Sequence, residues 1–124
     1  MIQKTVANFT AFWYSLGIPT NHHERIRKMQ RTIIGAKFKL GTVVATRGVM
    51  EYINEDVGMI FSYIARHAIG DWGDACKGDK KTNEDALKNG MRLMSVYKLK
   101  DGKTIWIITE WDRSVTTVLF PDEY

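Results

Sequence analysis

Apolar positions return every three or four residues in the front half of the chain, and every second residue near its end. Phe9, Phe12, Trp13 and Leu16 form the first helical stripe, closed by Gly17 and Pro19. Thr20 or Asn21 then caps a second predicted helix with Ile26, Met29 or Gln30, and Ile33 on one side and Arg25, Lys28 and Arg31 on another, ended by Gly35. Lys39 to Thr46 places Leu40, Val43 and Val44 in a β-branched run that reads as a strand. Thr46 caps a longer helix from about Gly48 to Arg66, with Val49, Ile53, Val57, Ile60 or Phe61, and Ile64 facing a core. Gly58 interrupts this stripe and costs roughly 1 kcal/mol relative to Ala inside a helix.

Three glycines and three aspartates between Gly70 and Asp79 predict a loop, after which Thr82 or Asn83 opens a helix that Asn89-Gly90 ends. From Met91 the period becomes two. Arg92 to Leu99 and Thr104 to Glu110 read as strands joined through Asp101-Gly102, a pair suited to a type I′ turn. Ile105 to Ile108 are apolar on both faces, the mark of a central strand. Trp111 to Ser114 forms the next turn, and Val115 to Phe120 is a third strand that Pro121 stops. The expected fold is α+β: an antiparallel three- to four-stranded meander, joined at one edge by the strand near Val43, with helices packed on it.

Composition changes this picture little, and charge changes it more. A chain of 124 residues that is 44% apolar and 26% charged fits one domain. Its expected division is a basic helical extension over 1–38 and an α+β core over 39–124. The lone Cys76 forms no internal disulfide and suits a reducing compartment. No apolar run approaches the ~20 residues that span a bilayer, and the opening segment lacks the pattern of a signal peptide, so cytoplasmic residence without membrane contact is expected. Residues 1–48 hold eight Lys or Arg against Glu24 alone, a net of +7, whereas the remainder carries ten bases and thirteen acids, a net of −3. A cationic front suits an anionic partner, nucleic acid or an acidic protein surface, contacted through Arg25, Arg27, Lys28, Arg31, Lys37 and Lys39. A solvated helix face accounts for Arg25 to Arg31 equally well.

Several segments share a further property. Leu40-Gly41-Thr42-Val43-Val44-Ala45-Thr46, Arg66-His67, Gly70-Asp71-Trp72-Gly73-Asp74, Ile107-Ile108-Thr109-Glu110, Asp112-Arg113-Ser114 and Pro121-Asp122-Glu123-Tyr124 together resemble a family of small bacterial proteins labelled plasmid-related. The resemblance covers roughly residues 40–124 and implies a bacterial, mobile-element origin. It implies no particular activity.

Candidate chemistry is sparse. His67, Asp71 and Asp74 lie close in sequence, but irregular spacing favours a structural role, with Asp71 capping loop amides and Trp72 filling the core. His22 and His23 are adjacent, so their rings diverge and no metal site is expected. Glu110, Asp112 and Arg113 cluster at a strand end, and alternation turns Glu110 to the side of Trp106 and Ile108, where Arg113 or Arg92 is its expected partner. Hydrogen bonds that pin the turn are the plainer role for Asp112 and Arg113.

The leading reading is a non-enzymatic binding protein without cofactor or metal, for which a homo-oligomer is compatible. The alternative is a ribonuclease-type toxin, with His67 and Glu110 as acid and base and Arg113 over the phosphate, provided the fold unites them. A third is a counter-defence protein that sequesters a host factor or small molecule. Exposure of Trp13, Trp72 or Trp111 would mark an interface.

Overall fold

The computed structural model describes residues 6–8, 33–54, 56 and 58–124. The two helices expected between Phe9 and Ile33, with Arg25, Arg27, Lys28 and Arg31, lie outside the described residues apart from Ile33 itself. The strands are β1 (Val6–Asn8), β2 (Thr42–Thr46), β3 (Leu93–Lys98), β4 (Thr104–Thr109) and β5 (Val115–Leu119). The helices are α1 (Arg47–Ile53), α2 (Gly58–Ala68) and α3 (Lys77–Asn89), and a 3-10 turn covers Pro121–Glu123.

The class is α+β, but the sheet is mixed rather than antiparallel throughout. Its order is β1-β2-β5-β4-β3, and β2 runs parallel to β5 with Val43 opposite Thr116 and Val44 opposite Thr117. The remaining neighbours pair antiparallel. Side-chain alternation fixes which face each residue joins, whereas strand direction depends on how the intervening helices return the chain. Gly41 lets the parallel pair start: its φ is +67°, and a Cβ there would lie 2.3 Å from the Ser114 carbonyl oxygen.

The main core lies between one sheet face and the first two helices. Val43, Ala45, Tyr97, Ile105, Ile107 and Val118 meet Val49, Met50 and Ile53 of α1 and Ile60 and Ile64 of α2. The single long helix expected here is two. Asn54 adopts a left-handed φ of 48° and ends α1, and α2 restarts at Gly58. Thr46 caps α1 as expected, accepting from Val49 N, and its own hydroxyl donates to Glu123 at 2.6 Å.

Two further expectations change. The helix expected from Thr82 begins a turn and a half earlier, at Lys77, with the Cys76 thiol as cap. A sulfur cap is missing from the usual N-cap residues, so the start leaves no sequence signal. The Asp101-Gly102 connection is not type I′, because only Gly102 has positive φ, at +89°. Gly102 N donates to Leu99 O and Leu99 N to Lys103 O, giving a turn with a left-handed glycine bulge.

Asn83, expected at a helix start, is instead buried within α3, where its amide donates to Met94 O at 2.7 Å and accepts from Met94 N at 3.0 Å. The same outer edge of β3 continues with Val96, bonded to Trp72 O and Asp74 N, and with Lys98 N, bonded to the Asp74 carboxylate. A helix and a loop thus occupy backbone groups that would otherwise invite another strand. Asn83→Ala is expected to cost about 2 kcal/mol by stranding the two Met94 groups. Urea melts would measure this, and unchanged stability would show that water replaces the amide.

Candidate functional site

His67 lies in the last turn of α2 and is fully buried. Its Nδ1 is 2.6 Å from Ser95 Oγ on β3, and its Nε2 is 2.9 Å from Thr109 Oγ1 on β4. Thr109 Oγ1 lies 2.7 Å from Thr116 Oγ1 on β5, which donates to Leu40 O at 2.6 Å. Each hydroxyl has one proton to give, so the chain of bonds has one direction. Thr116 spends its proton on the carbonyl, Thr109 donates to Thr116, and Thr109 must therefore accept from His67 Nε2–H. That leaves Nδ1 as the acceptor of the Ser95 proton. Burial, with Arg113 as a secondary cause, lowers the His67 pKa to about 3, so the ring is neutral. Phe38 and Trp72 close over it, with ring centres 5.2 and 5.8 Å away.

Of the trio weighed as the alternative, RNA-cleaving reading, Arg113 lies close enough to act on the His67 ring electrostatically, but Glu110 does not face it. Thr109 faces His67, and alternation sends Glu110, the next residue, toward the opposite face. The Glu110 side chain is half-buried and bonds no described residue, so the expected pairing with Arg113 or Arg92 is absent among the described residues. Arg113 is engaged elsewhere. Its guanidinium donates to Met91 O at 2.6 Å, Glu110 O at 3.1 Å and Ala86 O at 3.2 Å, capping the C-terminal end of α3. Burial pulls its pKa below the usual arginine value. Arg92 lies over the Tyr124 ring and donates to the Tyr124 hydroxyl.

The turn that carries Arg113 is pinned by side-chain hydrogen bonds. Asp112 Oδ1 accepts from Ser114 N at 3.0 Å and Ser114 Oγ at 2.6 Å, bonds that hold the carboxyl below its ordinary pKa. Asp71 has the capping role expected of it, accepting from Gly73 N at 3.1 Å. It also pairs with Arg66 at 2.7 Å, the main cause of its lowered pKa. Trp72 is buried, as expected. Cys76 is an exposed free thiol, and no group of three potential metal ligands occurs among the described residues.

Of the cationic residues singled out from the sequence, Lys37 and Lys39 are described. Both are exposed and flank Phe38, which is half-buried beside His67, stacked 6.3 Å from Trp72 and covered by the Arg113 guanidinium at 5.7 Å. Lys37 N also donates to Ala68 O at 2.8 Å. The Lys37 side chain lies over Gly70, where a Cβ would come within 3.2 Å of its Nζ, while Lys37 and Lys39 both remain exposed to solvent. The ion pairs formed among the described residues, Arg66 with Asp71 and Lys81 with Asp85, involve neither lysine.

Ser95, Thr109 and Thr116 were not singled out from the sequence, although a signal exists. Each is a polar residue on the strand face otherwise filled by Leu93, Tyr97, Ile107 and Val118. Trp111 is 66% exposed and Met91 59% exposed. Searches against family models, curated proteins and solved structures find no match.

Proposed function

We propose that this protein is a non-enzymatic binding protein whose cationic front contacts nucleic acid, in the bacterial mobile-element setting that its sequence resemblance suggests. The observation that carries the reading is the Lys37-Phe38-Lys39 segment. Its two cations are exposed beside a fixed aromatic anchor, at the end of a region with net charge +7. Charges held by an anchored backbone lose less freedom on meeting a phosphate backbone than charges on a floppy tail. Engagement of His67 and Arg113 in structural hydrogen bonds favours binding over catalysis. No helix among the described residues is long and apolar enough to cross a membrane.

Fluorescence anisotropy with single- and double-stranded DNA and RNA, over a salt series, tests this. Affinity is expected to fall linearly on logarithmic axes as salt rises. Reversing Arg27, Lys28, Arg31, Lys37 and Lys39 to glutamate is expected to flatten that slope by several units and leave the melting temperature nearly unchanged. Absence of binding to every nucleic acid at about 50 mM salt would sink the proposal and leave an acidic protein as the partner for the same face.

A further inference from the structure

Between the segment that carries Lys37 and Lys39 and the last turn of α2 lies an open cavity of about 220 Å³. Ala36, Phe38, Lys39, Leu40 and Gly41 line it from the segment, and Ala68 lines it from the helix. The fold holds these walls in place. Lys37 N donates to Ala68 O at 2.8 Å, Thr116 Oγ1 to Leu40 O at 2.6 Å and Thr42 N to Ser114 O at 3.0 Å. The Phe38 ring is kept in position by Trp72, stacked 6.3 Å away, and by the edge of His67 at 5.2 Å.

Three kinds of contact meet at this cavity. Ala36, Leu40 and Ala68 give it an apolar surface, to which Phe38 adds an aromatic one. The backbone is polar and unclaimed, because the N–H and C=O groups of Phe38 and Lys39 bond no described residue. Cations gather around it: Lys39 is among the lining residues, the Lys37 side chain lies over Gly70, and the Arg113 guanidinium is 5.7 Å from the Phe38 ring. No described acidic residue lines the cavity, and Asp71, which follows Gly70, is paired with Arg66.

A ligand that uses all three contacts is flat, carries donors and acceptors along its edge and is joined to phosphates. That is a nucleobase in a nucleic-acid strand. A duplex keeps its bases stacked and paired inside the rod, whereas a single strand can turn one outward. We propose that this cavity takes one unstacked base of a single-stranded nucleic acid, with Lys37 and Lys39 on the neighbouring phosphates. The inference rests on the nucleic-acid reading above and narrows it to single strands.

Anisotropy titrations of the full chain with three labelled ligands of equal length test it: a single strand, its duplex, and a strand of abasic sugar-phosphate units. At one salt concentration the single strand should bind about 10-fold or more tightly than either of the others, the scale of one base on an aromatic site. Charge alone predicts the reverse order against the duplex, whose phosphates are denser. The abasic strand should keep the salt slope of the single strand, because the phosphate contacts are the same. Ala36 is exposed, so Ala36→Leu should fill the cavity, melt like the wild type and bind the single strand no better than the abasic one. Equal affinity for the three ligands, a duplex preference, or a single-strand preference that survives Ala36→Leu overturns the inference and leaves the cationic face standing. A mononucleotide that binds as tightly as the strand overturns it in favour of a free-nucleotide site. Absence of binding to all three at about 50 mM salt removes the nucleic-acid reading and this inference with it.

Discussion

Lowering the pH from about 7.5 to about 4.5 is expected to remove roughly 2–3 kcal/mol of folding stability through His67 alone. In the unfolded chain this side chain titrates near its ordinary 6.5, whereas in the fold its pKa is about 3. Between those values the unfolded state binds the extra proton, so stability from this group is fully present above pH 6.5 and is lost as pH falls toward 3. Protonation would place a donor on Nδ1 against a serine proton already pointing at it, in a site where burial and the Arg113 charge both oppose a cation. Asp71, Asp101 and Asp112, whose pKa values are lowered from 3.8 by their hydrogen bonds, add losses of their own at lower pH.

His67→Gln separates this contribution from theirs. The amide cannot take a proton, so the variant should be weaker than wild type by about 2–4 kcal/mol at neutral pH, through imperfect satisfaction of Ser95 and Thr109. Its stability should be nearly level from about pH 7.5 to 4.5. Urea unfolding at a series of pH values measures both quantities. Parallel curves for the two proteins would show that the imidazole is charged or solvated in the fold and would reopen a catalytic role for it.

The second large effect is steric. Gly73, between the Trp72 plug and Asp74, adopts φ +68°, and a Cβ there would fall 2.1 Å from Val96 O and 2.6 Å from the Tyr97 ring. Part of that obstacle is backbone, so it cannot rotate away. Gly73→Ala is expected to cost at least about 3 kcal/mol, combining left-handed strain with loss of the Val96 bridge at the sheet edge. Gly78→Ala is the matched control, because open space surrounds that site in the first turn of α3. It should stabilise by about 0.5–1 kcal/mol. Thermal melts of both variants decide the matter, and equal effects would mean that the Gly73 loop is free to move aside.

These glycines also show where sequence reading succeeds. The Gly70 to Asp74 segment is recognisable as a turn, and Asp71 and Trp72 take the roles their chemistry suggests. The reason for Gly73 was hidden, because it depends on β3 arriving from more than twenty residues away. Glu110 shows the opposite limit. Alternation gives its side, yet its expected partners are taken by carbonyls at the end of α3 and by the ring of Tyr124.

By itself, the sequence determined the α+β class, the interior place of β4 in the sheet, the Thr46 and Gly90 caps and the division of charge along the chain. Each follows from periodicity, turn chemistry or counting, which act over a few residues or need no geometry. Tertiary structure alone decided the parallel pairing of β2 with β5, the direction of the His67 hydrogen bonds and the exposure of Trp111. Those features arise from contacts between segments distant in the chain. Their energies depend on which groups meet and which are left to water, and no local pattern records that.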